Sequence, residues 1–101
     1  MRIPLWLLLA LSPVLAQAAD PARPAKLGQC VACHGESGRS RVPGTPHLAG
    51  QDETYLRSAL LAYRNGSRRA MPMNSLANTL QPRDIAALAH WYARQNGSLA
   101  P

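Results

Sequence analysis

Phenylalanine is absent from this chain, and only five of its 101 residues are aromatic. Past residue 18 the aromatics are Tyr55, Tyr63, Trp91 and Tyr92. So few large rings make a thin core for a small domain, unless something large and apolar fills it. Acidic residues are also scarce: five Asp/Glu are scattered along the chain, and the adjacent Asp52-Glu53 reads as a helix start rather than as a general acid–base pair. No serine stands in a recognisable catalytic setting, and with two cysteines there is no disulfide framework to read. No stretch alternates at period two long enough to make a strand, and there are no internal repeats. These absences exclude a β-rich fold and argue against an enzyme.

The one long apolar run is at the start. Met1-Arg2 is a short positive segment, Ile3 to Leu15 is apolar but interrupted by prolines, and Ala16-Gln17-Ala18 has the small-x-small pattern of a cleavage site. The run is shorter than the roughly 20 residues that span a bilayer. Residues 1–18 therefore read as a signal peptide removed after Ala18, and 19–101 as one exported, periplasmic domain of 83 residues. That domain carries ten Lys/Arg, with Lys26 the only lysine, against five Asp/Glu, a net charge of +5. For an exported chain the basic balance points to lipid headgroups or the acidic docking face of a redox partner rather than to nucleic acid.

What the chain does have is Cys30-Val31-Ala32-Cys33-His34, holding its only two cysteines, three positions apart, directly before a histidine. Residues three apart on a helix share a face, so both thiols can meet one porphyrin edge and form thioethers with its vinyl groups. The histidine that follows reaches the iron through its imidazole, as in c-type haem attachment. Zinc would need two more ligands, and only His47 and His90 remain to join His34. A thioredoxin-type motif expects a βαβ setting that is missing here. An ordinary disulfide would leave His34 unexplained. Haem c, one and covalently bound, is the expected cofactor. It would also be most of the core, so the haem-free chain is expected to be largely unfolded.

The spacing predicts an all-α domain. A short helix over Pro24–Cys33 delivers the cysteines, and Gly35–Gly50, with four glycines and two prolines, is loop. A helix is expected over Asp52–Asn65, with acids at its start, Tyr55, Leu56, Ala59, Leu60 and Tyr63 at helical spacing, and Asn65-Gly66 at its end. Gly66–Thr79 reads as a connection containing Met71-Pro72-Met73. The last helix, Pro82–Gln95, has proline in its first turn and a stripe of Ile85, Leu88, Ala89 and Tyr92 widened by Trp91.

His34 would fill one axial position of the iron. Met71, Met73, His47 and His90 compete for the other. A thioether suits a low-spin carrier, because methionine favours ferrous iron and raises the potential. Two methionines on a polar segment beside Arg68 and Arg69 point the same way, although both could be flexible apolar filler at the haem edge. His90, inside the last helix, reads as a partly exposed, hydrogen-bonded histidine. His47 lies too close to His34 along the chain to reach the opposite face.

Taken together, Cys30 to Gly35, Pro46 to Gln51, Tyr55-Leu56, Tyr63 to Arg68, and the run from Met73 through Ala77, Leu80 and Asp84-Ile85 to Trp91-Tyr92 resemble the class I cytochromes c. The similarity is to the small bacterial single-haem proteins, and it spans nearly all of 19–101. It implies a small cytochrome c fold of three to five helices around one haem. Relatives place the ligand methionine seven residues before the leucine preceding the last helix; Leu80 then selects Met73 over Met71. The resemblance further implies that the Pro46 carbonyl accepts a hydrogen bond from the His34 ring N–H. It also implies that the first and last helices cross, with Gly28 allowing close approach by the helix of Leu88 and Trp91. Where relatives cap that helix with Ser or Thr, Gln81 stands here, so Thr79 would serve or the end would fray.

The expected function is one-electron transfer in the periplasm by a monomer with His34/Met73 ligation. Its partners would be redox proteins with acidic docking faces, including a membrane-bound oxidase or reductase, and Arg64, Arg68 and Arg69 are candidates for contact with the haem propionates. Two alternatives stand beside it: a haem c subunit relaying electrons within a larger oxidoreductase, and a five-coordinate, ligand-binding haem protein.

Overall fold

Asp52 starts the longest helix among the described residues by accepting a hydrogen bond from the Tyr55 amide at 2.8 Å, and Gly66 stops it in a left-handed conformation at φ +82°. These two signals bound α2, Glu53–Asn65. The computed structural model describes Arg2 and residues 23–97, so the expected signal segment and its cleavage site lie outside the described residues. Within the described residues α2 is joined by α1 (Gly28–His34), α3 (Met73–Asn78) and α4 (Pro82–Ala93), with no strand. No described helix is long and apolar enough to cross a membrane.

α2 packs against both α3 and α4. The core they share with the lead-in to α1 consists of Leu27, Leu56, Leu80, Ile85, Leu88, Ala89 and Tyr92. Leu27, Ile85 and Leu88 are fully buried, each contributing about 1.5–3 kcal/mol on removal from water. Tyr92 is the one aromatic ring among the buried residues described. As expected from composition, this is a core of few aliphatic side chains.

Four expectations change. α1 begins at Gly28 and not Pro24, because the preceding residues close short turns (Leu27 amide to Pro24 carbonyl, 3.1 Å; Cys30 amide to Leu27 carbonyl, 2.8 Å). The segment read as plain connection contains α3, whose six residues are too few for a periodic pattern to register. Gly28 is exposed, and a Cβ built on it would meet no atom within 4 Å, so it is not where α1 approaches α4. That contact runs through Leu27, with Cys30 and Val31 packed on the same cluster. Finally, Thr79 does not cap α4. Asp84 does so by accepting from the Gln81 amide at 2.8 Å, the carboxylate half of a capping box, and Pro82 occupies the first turn.

The close backbone approaches lie in the loop over 35–50. A Cβ on Gly38 would stand 2.6 Å from the Ala49 nitrogen, and one on Gly50 would stand 2.8 Å from the Gly97 Cα. Both glycines have positive φ, +82° and +71°. The Gly38 carbonyl accepts from the Leu48 and Ala49 amides at 2.7 and 3.1 Å, folding the loop back under the end of α1.

Candidate functional site

Cys30, Cys33 and His34 all lie on α1, two of them within its last turn. Cys30 is half-buried against the core and Cys33 is exposed; both are free thiols. Burial pushes the Cys30 thiol above its ordinary value. His34 is the one buried polar side chain described, 7% exposed. Its Nδ1 donates to the Pro46 carbonyl at 3.0 Å, which fixes the ring and leaves the Nε2 lone pair as the one open to a donor or a metal.

The loop that brings Pro46 to His34 is pinned from several sides. The Ser40 hydroxyl donates to the Cys33 carbonyl at 2.9 Å, satisfying a carbonyl that the end of α1 leaves open. From α4, Trp91 Nε1 donates to the Glu36 carbonyl at 2.8 Å and the Tyr92 hydroxyl to the Gly35 carbonyl at 3.0 Å. Burial raises the Tyr92 phenol well above its usual range, so the hydroxyl stays a donor. Arg23 holds Glu36 by two hydrogen bonds of 2.7 and 3.0 Å, and this contact lowers the Glu36 carboxyl below its ordinary value. Sequence reasoning missed Ser40 altogether and read Trp91 and Tyr92 only as apolar stripe. Their polar handles were the available signal, because a buried Tyr or Trp takes a hydrogen-bond partner.

The other candidates are spread along the chain. Met73 is the first residue of α3 and half-buried, while Met71, two residues earlier, is 75% exposed. His47 accepts at Nδ1 from the Ser40 amide at 2.9 Å, on the same loop as Pro46. His90 is exposed on α4 and paired with Glu53, the partnered histidine that the sequence suggests. α3 and α1 are tied where Thr79, at the end of α3, meets the Gln29 side chain at 3.1 Å. Arg68 lies over the Tyr63 ring at 4.8 Å and donates to the Tyr55 hydroxyl at 3.3 Å. Arg64 and Arg69 line an open cleft of about 520 Å³ together with Tyr63, Met71 and Asn74.

Residues 22–93 match the cytochrome c family. The chain belongs to that family. It is 45% identical over 73 residues to cytochrome c-554(548) of Halomonas halodenitrificans, covering 69% of this chain and 88% of that protein. It is 37% identical over 98 residues to cytochrome c4 of Pseudomonas aeruginosa, covering 96% of this chain but 49% of the relative. The solved cytochrome c4 of Acidithiobacillus ferrooxidans superposes with a TM-score of 0.61 at 29% identity, over 64% of this chain and 37% of that one. The chain thus spans half or less of the c4 proteins it matches. As a family member it carries covalently bound haem c and serves electron transfer. The side chains fit that group: two free thiols on one short helix, followed by a buried imidazole whose Nδ1 is engaged and whose Nε2 has no partner among the described residues.

Proposed function

We propose that this protein is a periplasmic one-electron carrier whose haem iron is held between His34 and Met73. The observation that carries the reading is the buried His34 ring, oriented by its 3.0 Å hydrogen bond to the Pro46 carbonyl. That bond selects the tautomer with Nε2 as the ligand nitrogen and raises its basicity. Bound haem supplies an iron that cycles between ferric and ferrous. Around it, Cys30 and Cys33 would form the thioethers, His34 would offer a fixed nitrogen and Met73 a soft sulfur that favours the ferrous state. The half-burial of Met73 against the 75% exposure of Met71 supports the choice between them.

The surroundings favour a carrier over an enzyme. Each described carboxylate already holds structure: Glu36 binds Arg23, Asp52 caps α2, Glu53 meets Arg57 and His90, and Asp84 caps α4. Among the described residues the same assignments leave Arg64 and Arg69 without an acidic partner, on a stretch over 54–83 that contains no Asp or Glu. This supports a redox partner with an acidic docking face, while Arg64, Arg68 and Arg69 are also the arginines proposed for the haem propionates. Export, with removal of residues 1–18, completes the proposal.

Carbon monoxide separates the readings. A His34/Met73 iron is full, so the reduced protein is expected to resist the gas; ready binding would favour the five-coordinate alternative and overturn the carrier. Size-exclusion of protein from its natural source should show a free monomer, whereas co-elution with an oxidoreductase would make it a relay subunit.

A further inference from the structure

The residue after Met73 has three backbone partners. Asn74 donates through Nδ2 to the carbonyls of Tyr63 and Arg68, both at 2.8 Å, and accepts through Oδ1 from the Ala70 amide at 2.9 Å. Tyr63 lies in the last turn of α2, where carbonyls lack an intrahelical partner, so this bond also closes the end of that helix. Arg68 and Ala70 belong to the segment over 66–72 that returns from α2 to α3. Every residue of that segment is exposed, so apolar burial does little to hold it. Asn74 knots the end of α2, the middle of this segment and the start of α3 into one unit.

We propose that Asn74 is a positioning residue: its three hydrogen bonds fix the backbone that presents the Met73 sulfur to the iron. This rests on the reading of Met73 as the sixth ligand. An amide is needed, since two carbonyls require donors and one amide requires an acceptor. A carboxylate of nearly the same shape could serve only Ala70 and would face two carbonyl oxygens. Asn74→Asp should therefore fail much as Asn74→Ala does, which a simple loss of volume would not produce.

The test uses haem-bound wild type, Asn74→Ala and Asn74→Asp. Three readouts apply: the near-infrared methionine–ferric band, carbon monoxide binding after reduction, and hydrogen exchange of the Ala70 amide by NMR. The wild type should show the band, resist carbon monoxide and protect the Ala70 amide. Both variants should lose band intensity, bind the gas, and exchange that amide about tenfold faster or more, as expected for losing bonds of this kind. Variants that keep the band and exclude the gas overturn the positioning role while leaving Met73 as ligand. A wild type without the band overturns the ligand reading and the positioning role with it. If neither variant accumulates with haem, the wild-type amide decides: exchange at the rate of an unstructured peptide overturns the knot.

Discussion

Replacing Gly38 by alanine should be among the most damaging single-methyl additions to this domain. Two costs combine. The residue sits at φ +82°, where a side chain costs roughly 1–2 kcal/mol. The new Cβ would also stand 2.6 Å from the Ala49 nitrogen, 3.0 Å from its Cα and 2.9 Å from Cδ1 of Tyr92. Backbone and a buried ring, not a flexible side-chain end, must give way, and overpacking of this kind costs about 1–3 kcal/mol. The sum is about 2–5 kcal/mol, a large share of the stability of any small domain. Gly44→Ala is the control. Gly44 has the same backbone sign, φ +81°, but its Cβ would meet nothing within 4 Å, so only the conformational cost of roughly 1–2 kcal/mol applies. Guanidinium unfolding of the haem-bound proteins, followed by far-UV circular dichroism at unchanged slope, reads both. The Gly38 variant should lose about 1–3 kcal/mol more than the Gly44 variant. Equal losses would refute the claim that Gly38 marks the tight contact between the Pro46 loop and α4.

Two further outcomes follow from the ionisable groups. Glu36 is held below its ordinary value by Arg23, so the pair stabilises the fold above the normal carboxylate range and the contribution disappears as pH falls through the lowered value. Arg23→Ala should return the Glu36 carboxyl to its ordinary range in an NMR titration, with a small effect on unfolding because both side chains are about half exposed; an unmoved Glu36 would contradict the pairing. In the haem-free chain, expected to be largely unfolded, Cys30 and Cys33 should alkylate at the same rate and helical dichroism should be weak. A Cys30 that lags because burial raises its thiol, together with full helicity, would show that the fold stands without haem.

The two long helices were legible because their ends carry local chemistry: Asp52 and Gly66 for α2, Pro82 for α4. The Cys30/Cys33 pair was legible as a haem attachment because the spacing itself is the chemistry. What escaped were contacts between residues distant in sequence. Trp91 and Tyr92 hold carbonyls some 55 residues upstream, and while their polar handles call for a partner, nothing in the local pattern says which. α3 was hidden by its six residues, and Asn74 by the ordinary look of an asparagine near a turn. The glycine expected to sit at a helix crossing, Gly28, faces solvent, and the glycines at close backbone contacts are Gly35, Gly38, Gly50 and Gly97. Composition says how many glycines there are; only the fold says which ones have no room for a methyl group.

The central claim is that a haem attached through the Cys30 and Cys33 thioethers has its iron held by His34 on one side and by Met73 as sixth ligand. The near-infrared absorption of the oxidised protein tests it most directly, compared across wild type, Met71→Ala and Met73→Ala. The account predicts a methionine–ferric band in wild type and Met71→Ala that vanishes in Met73→Ala. A band that survives in Met73→Ala, or vanishes in Met71→Ala instead, would contradict it.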